Sequence, residues 1–306
     1  MSRLLVVIAL LLSAACGSAP AYIPVSTTSA SPSPAVVTDF QGRSVQLPRS
    51  VERIVSIGAS NTEFLFALGA GDRVVGVDDF SDEPAAALSK EKVGGVKVNL
   101  EKVTSLRPDL VITVKFSDGT VERLAAAAAG AVVLVVDPQG LGDVARSATL
   151  IGQAVGADGK KLADDITRRL QSVKERAATI TAKPRVFREV DATDPAKPFT
   201  VGPGSFVHDL IELAGGVNVA ARAPSPYPQL SAEEIVRADP EVIVLADADY
   251  GVTPEQVASR PGWSGISAVR TKRVYGMSAN LVSRPGPRVG EAAESYARLL
   301  HPTVFR

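Results

Sequence analysis

The chain has 306 residues, 45% of them hydrophobic and 22% charged, an ordinary globular composition with length for two modest domains. Its 33 basic and 33 acidic side chains cancel, so it lacks the basic excess that a nucleic-acid-binding surface needs. With 1 cysteine no intramolecular disulfide can form, and the 2 histidines, His208 and His301, stand apart from any cluster of metal ligands.

In chain order, Arg3 precedes an apolar run at 4–12 and the small residues Ser13, Ala14 and Ala15, ahead of Cys16. The run is too short to span a bilayer as a helix, which takes about 20 residues. It reads as a secretory signal. The segment ending in Cys16 resembles the lipobox of bacterial lipoproteins, with Leu12 one place early and Ser13 in its position. On that reading residues 1–16 are a lipoprotein signal and lipidation site, and acyl chains on Cys16 hold the protein at the membrane, at ~0.8 kcal/mol per buried methylene. An ordinary signal peptide with an incidental cysteine is the alternative. Residues 17–35 are mostly Ser, Thr, Pro and Ala, cannot bury enough apolar surface to fold, and read as a disordered tether.

From residue 36 short Val- and Ile-rich runs alternate with helical patterns. Strands are predicted at 53–57, 73–77, 110–114 and 132–136, and again at 185–190, 242–246 and 273–277. Helices fall between them, as at 62–68 and 206–213. This alternation implies parallel sheets covered on both faces. Residues 142–182 read as helical with a break at 156–159, and 160–182 contain neither Gly nor Pro. The expected fold class is α/β, with two Rossmann-like lobes on central parallel sheets joined by one long interdomain helix. The N-terminal lobe takes 36–141, the helical linker 142–182 and the C-terminal lobe 183–306.

The halves repeat. Asn99-Leu100-Glu101 leads to Arg107-Pro108-Asp109-Leu110, and Ser231-Ala232-Glu233-Glu234 leads to Asp239-Pro240-Glu241-Val242. Aligning the prolines places Glu101 on Glu233 and Asn99 on Ser231. Each unit reads as N-cap, short helix, proline turn and buried strand, and Ser231 with Glu234 fits a capping box. A second match pairs Ser60…Leu68 with Ser205…Leu213. Two similar lobes leave a cleft between them, a natural place for a ligand.

The string Arg53-Ile54-Val55-Ser56, then Ser60-Asn61-Thr62-Glu63 and Ala67-Leu68-Gly69-Ala70-Gly71, resembles the opening of periplasmic-binding proteins for cobalamin, haem and ferric siderophores. So do Val93-Gly94-Gly95, Asn99-Leu100-Glu101, Arg107-Pro108-Asp109-Leu110, Tyr227-Pro228-Gln229-Leu230-Ser231, Arg260-Pro261-Gly262-Trp263 and Arg284-Pro285-Gly286-Pro287-Arg288, in order. The resemblance implies two lobes joined by a long helix, with little hinge closure. It implies an extracytoplasmic solute-binding component of an ABC importer, monomeric, anchored by lipid and without a catalytic cofactor. Its bound ligand would be a ferric siderophore or a corrinoid, with haem, or a receptor without transport, as alternatives. Its partners would be an ABC permease dimer with its ATPase subunits, and no nucleic acid. In this family one surface Glu per lobe docks into arginine pockets of the permease, and the matching positions are Glu101 and Glu233. A Glu in a first helical turn also complements the helix dipole, worth about 0.3–1 kcal/mol without any partner.

By the same resemblance, ligand contacts fall on Ser60, Phe80, Tyr227, Asn280 and Arg284. Ser60 is equally explained as an N-cap. Phe80 and Tyr227 match cleft aromatics, which give rigid contact to a macrocycle. Tyr227 lies in a proline-rich loop that cannot be helical. Arg284 can hold an amide, carboxylate or phosphate. Lys115, Arg188 and Arg284, if all face inward, suit an anionic ferric siderophore. Two tryptophans that would flank a corrin fall near Gly95 and Val114, a departure from the cobalamin pattern. Arg288 reads as structural, near Glu291, and Trp263 as core. An enzyme is disfavoured: Ser205 lacks the Gly-x-Ser-x-Gly elbow of a hydrolase, and no Gly-Lys-Ser/Thr follows the glycines.

Overall fold

The computed structural model describes residues 35–128 and 130–306. The expected signal segment, Cys16 and the tether, apart from Ala35, lie outside the described residues. The described chain opens on an antiparallel hairpin, β1 (Val36–Thr38) with β2 (Ser44–Gln46), which the sequence reading did not anticipate. The Asp39 carboxylate shapes its turn, accepting from the N–H groups of Gln41 and Arg43, each at 2.9 Å.

The first lobe then runs β3 (Ile54–Ser56), α1 (Ala59–Ala67), β4 (Val74–Val77), β5 (Glu91–Lys92), α2 (Leu100–Ser105), β6 (Leu110–Thr113), α3 (Thr120–Ala127) and β7 (Val132–Val135). Its sheet is parallel, in the order β5-β4-β3-β6-β7. β3 and β6 are buried at every position, as strands covered on both faces must be.

Two helices follow, α4 (Leu141–Val155) and α5 (Gly159–Ala178). The break falls where it was predicted. Gly156 ends α4 with φ 69°, and the Asp158 carboxylate accepts from Lys161 N–H at 3.0 Å to open α5. α5 is 20 residues, about 30 Å long. Its buried residues Ala163, Ile166, Leu170, Val173 and Ala177 form one stripe at helical spacing. α5 packs on α4 so closely that a Cβ on Gly159 would run into the Ala148 carbonyl oxygen, and one on Gly152 into the Gly159 backbone. Gly159→Ala is therefore expected to destabilise the protein by about 1–3 kcal/mol in urea unfolding, with an unchanged midpoint showing that the helices can part at no cost.

The second lobe continues through β8 (Arg185–Glu189), α6 (Phe206–Leu213), β9 (Val217–Asn218), α7 (Ala232–Ala238), β10 (Val242–Leu245), α8 (Pro254–Ala258), α9 (Ser267–Arg270), β11 (Val274–Gly276), α10 (Ala279–Val282) and α11 (Val289–Leu300). Its sheet is again parallel, in the order β11-β10-β8-β9. The seven predicted strands are all present, trimmed at their ends.

The core shows how the lobes are joined. One face of each sheet has a private apolar cluster: Val55, Val111 and Leu124 in the first lobe, Phe187, Ile243 and Trp263 in the second. The opposite faces drain into one shared cluster, which takes Ile54, Ile112 and Leu134 from the first sheet, Ile151 from α4, Leu170 from α5, and Val186 and Val244 from the second sheet.

The internal repeat extends to individual bonds. Arg53 Nε donates to Leu106 O at 2.8 Å, and Arg185 Nε donates to Ala238 O at 3.1 Å. Asp109 Oδ2 accepts from Arg53 N–H at 2.9 Å, as Glu241 Oε2 does from Arg185 N–H at 3.0 Å. Arg107 and Asp239, each just before the aligned proline, share a left-handed conformation, φ 47° and 44°.

Candidate functional site

In open parallel sheets ligands sit beyond the carboxyl ends of the strands, where the strand order reverses. That point lies between β3 and β6 in the first sheet and between β8 and β10 in the second. Gly58, Lys115 and Asp137 follow β3, β6 and β7; Arg188 and Glu189 end β8; Asp247 follows β10.

Gly58 makes the turn into α1 with φ 108°, and its N–H donates to Asp78 Oδ2 at 2.6 Å. A Cβ there would stand 2.7 Å from Val114 Cγ1. This turn corrects one expectation. Ser60 is not the N-cap, because the positive φ of Gly58 lets the helix start at Ala59 and leaves Ser60 buried inside it. Its Cβ is 3.7 Å from where a Cβ on Gly286 would lie, so Ser60 sits against the loop that carries Arg284.

Tyr227 stands in the proline-rich loop of the second lobe. Its side chain is 55% exposed, yet burial pushes its phenol above the ordinary pKa. The charge of Arg188, from its own lobe, opposes that rise, and the charge of Asp137, from the other lobe, adds to it. Charges from both lobes thus act on one phenol. The loop is fixed on each side of it: Gly202 N–H donates to Pro226 O at 2.8 Å and Thr200 N–H to Pro228 O at 2.9 Å. Asp137 is itself raised, by burial first, with Lys115 opposing.

Arg188 is 1% exposed and has no carboxylate partner among the described residues. Its Nη2 donates to Ser283 Oγ at 2.6 Å and its Nε has no partner. The buried Tyr296 phenol is also raised by burial, with the Arg188 charge opposing. A buried cation without a counter-ion is costly unless something anionic approaches it.

Asn280 and Arg284 are engaged across the seam between the lobes. Arg284 Nη1 meets Asp82 Oδ1 at 2.7 Å and Glu63 Oε1 at 3.3 Å, and its Nη2 donates to Phe80 O at 3.0 Å. Asn280 Nδ2 donates to Asp82 Oδ2 at 2.8 Å. Burial would raise Asp82, but hydrogen bonds from Arg284 and Asn280 bring it below the usual carboxylate value. Arg288 also bridges the lobes, through Nε to Glu63 Oε2 at 2.8 Å. Phe80 is 54% exposed and leans on Gly95, where a Cβ would lie 3.4 Å from its Cε2. A recess of about 340 Å³ opens beside the seam at Glu63, Phe66, Pro84, Pro287 and Arg288.

Glu101 and Glu233 are exposed in the first turns of α2 and α7, without an ion-pair partner among the described residues. Their neighbours are occupied: Lys102 pairs with Glu91 at 3.2 Å, and Glu234 completes the capping box with Ser231 at 2.7 Å. Ser205 caps α6 and accepts from His208 N–H at 3.2 Å.

Sequence reading missed Glu63, Asp82 and Asp137. The signal for Asp137 is a carboxylate placed directly after an apolar strand, while Glu63 and Asp82 gave none. It also missed a buried trio in the second lobe. Glu189, at 0% exposure, takes a two-pronged ion pair from Arg260 at 2.5 and 2.8 Å, with Asp247 buried nearby. Arg260 stacks over Trp263 at 4.8 Å, and Trp263 meets Phe187 edge-on at 6.1 Å, as a core residue.

Two parallel-sheet lobes with a shared core and facing carboxyl ends describe a solute-binding protein. Residues 54–281 match the family model described as periplasmic binding protein, and the chain belongs to that family. It is 36% identical to the uncharacterized ABC transporter substrate-binding lipoprotein YvrC of Bacillus subtilis, over 89% of this chain and 87% of that one. The periplasmic vitamin B12 binding protein BtuF of Vibrio cholerae superposes with a TM-score of 0.69 at 28% identity, over 83% of this chain and 98% of that one. The periplasmic heme-binding protein RhuT of Roseiflexus sp. RS-1 superposes with a TM-score of 0.73 at 27% identity, over 82% and 98%.

Proposed function

We propose that this chain is the extracytoplasmic, lipid-anchored solute-binding component of an ABC importer, and that it carries an anionic ferric siderophore between its lobes. The observation that carries the ligand class is Arg188, a buried guanidinium with no carboxylate partner among the described residues, whose charge acts on the Tyr227 phenol. A charged donor in a desolvated site binds a carboxylate or catecholate oxygen strongly. Corrinoids, which offer mainly neutral amides, make less use of it. Haem is the second reading, favoured by the same Tyr227, whose phenol can approach an iron from the loop at 223–228. In this scheme Cys16 carries the lipid, 17–35 is the tether, and 36–141 and 183–306 are the lobes on either side of the linker 142–182. Glu101 and Glu233 dock to the two permease subunits, which work with their ATPases.

Native mass spectrometry and absorbance of the purified chain identify a co-purifying ligand. Titration with a ferric catecholate, hemin and cyanocobalamin ranks the three classes. Arg188→Leu is expected to weaken binding of the ferric catecholate by about 30-fold or more and to leave cyanocobalamin nearly unchanged. Tight binding of cyanocobalamin alone, indifferent to Arg188→Leu, would falsify the anionic-ligand reading.

A further inference from the structure

Phe80 rides on a turn between β4 and β5 that is held on either side of it within the first lobe. Asp79 N–H donates to Gly94 O at 3.0 Å, and Ser81 N–H donates to Asp78 O at 3.3 Å. Ser81 Oγ donates to Asp78 Oδ1 at 2.6 Å. The Phe80 carbonyl is different: its donor is Arg284, from the other lobe, at 3.0 Å. Two residues on, Asp82 is gripped from the same side by Arg284 at 2.7 Å and Asn280 at 2.8 Å. The stretch 80–82 thus takes three hydrogen bonds across the seam from two side chains.

The Phe80 ring has little else to hold it. At 54% exposure it has only partial packing, so its place is set mainly by the backbone beneath it. The Arg284 side chain is only 15% exposed and that of Glu63, which it also meets, 4%. On the side of 80–82 the contact is more open, the Asp82 side chain being 42% exposed, but a charged donor still makes stronger hydrogen bonds than a neutral one. The planar fork of Arg reaches the Phe80 carbonyl with one nitrogen while the other serves Asp82, which a Lys ammonium cannot reproduce.

We propose that Arg284 and Asn280 are positioning residues: their clamp on 80–82 sets the place of the Phe80 ring against the ligand, so that affinity in one lobe's wall is determined by side chains of the other. This rests on the reading of Phe80 as a cleft aromatic. Arg284 then serves the ligand through Phe80, rather than by direct contact.

Hydrogen exchange tests the clamp without a ligand. In the full chain carrying Arg284→Lys, the hydrogen-bonded amides within 79–82, those of Asp79 and Ser81 on either side of Phe80, are expected to exchange about tenfold faster, while those of 100–105 stay as in the unsubstituted protein. Unchanged exchange at 79–82 overturns the clamp. Asp82→Asn, on the more exposed side of the contact, gives the same readout should Arg284→Lys fail to fold. The ligand arm uses whichever of ferric catecholate, hemin or cyanocobalamin binds. Arg284→Lys is expected to weaken it about tenfold, but by less than about twofold when Phe80→Ala is already present. An equal loss in both backgrounds means that Arg284 touches the ligand itself, and overturns the positioning role. If none of the three binds, the ligand role of Phe80 falls with the cleft reading, whereas faster exchange still upholds the clamp.

Discussion

Glu101→Lys combined with Glu233→Lys is expected to lower ligand uptake about 100-fold or more, while affinity in solution stays within about twofold. Both carboxylates are exposed at matching places in the repeat, in the first turns of α2 and α7. Each costs the fold little to reverse, about 0.3–1 kcal/mol of helix-dipole energy, so the protein still folds. At an arginine-lined docking site the same change replaces attraction by like-charge contact at two points, which costs several kcal/mol. Single reversals should fall between, each leaving one anchor. Uptake of labelled ligand by cells that depend on this protein, set beside calorimetric titration, separates docking from binding. Normal uptake by the double variant rules out docking through these residues.

Replacing Arg260 with Leu is expected to destabilise the fold by about 3–5 kcal/mol, because it strands the Glu189 carboxylate in the core without its partner. Asp247→Asn should act in the opposite direction. Glu189 and Asp247 are both raised, by burial first; Arg260 pulls Glu189 back down, and the proximity of Asp247 raises it. With two carboxyls and one guanidinium, the folded protein holds protons on this pair more tightly than the unfolded chain, whose carboxyls titrate near pH 4. A raised acid pKa contributes stability in full below the unfolded value, and the contribution is lost as pH rises through the folded value. Stability should therefore decline as pH rises above the unfolded carboxyl range. Asp247→Asn removes the surplus charge, flattens that slope and stabilises the protein at neutral pH. Urea unfolding between pH 4 and pH 8 measures both effects, and a slope unchanged by Asp247→Asn excludes the coupling of the two carboxyls.

The lobes were legible because buried parallel strands are nearly continuous in Val, Ile and Leu. The break between α4 and α5 was legible because Gly156 and Asp158 have distinct capping chemistry. β5 and β9, of two residues each, carry no periodicity to detect. An N-cap role stood as an equal alternative for Ser60 because sequence does not reveal that Gly58 holds a positive φ two residues earlier. The seam was opaque for another reason. Glu63 and Arg288 are 225 residues apart, and no local pattern records which distant charge a side chain meets. Resemblance singled out Arg284 and Asn280, which the structure places in hydrogen bonds across the seam, but Asp82, which engages both, has no counterpart in the motif that identified them.

The common hydrophobic interior beneath the two sheets has a consequence for signalling. Moving one half against the other would shear Ile112 and Val244 away from shared neighbours, so the distance between Glu101 and Glu233 is expected to change little when a ligand binds. A transporter that measured this spacing alone would learn nothing about occupancy. On the proposed function, loaded and empty carriers would instead differ at the rim, in exposed side chains such as Phe80 and Tyr227 and in the surface of the cargo itself.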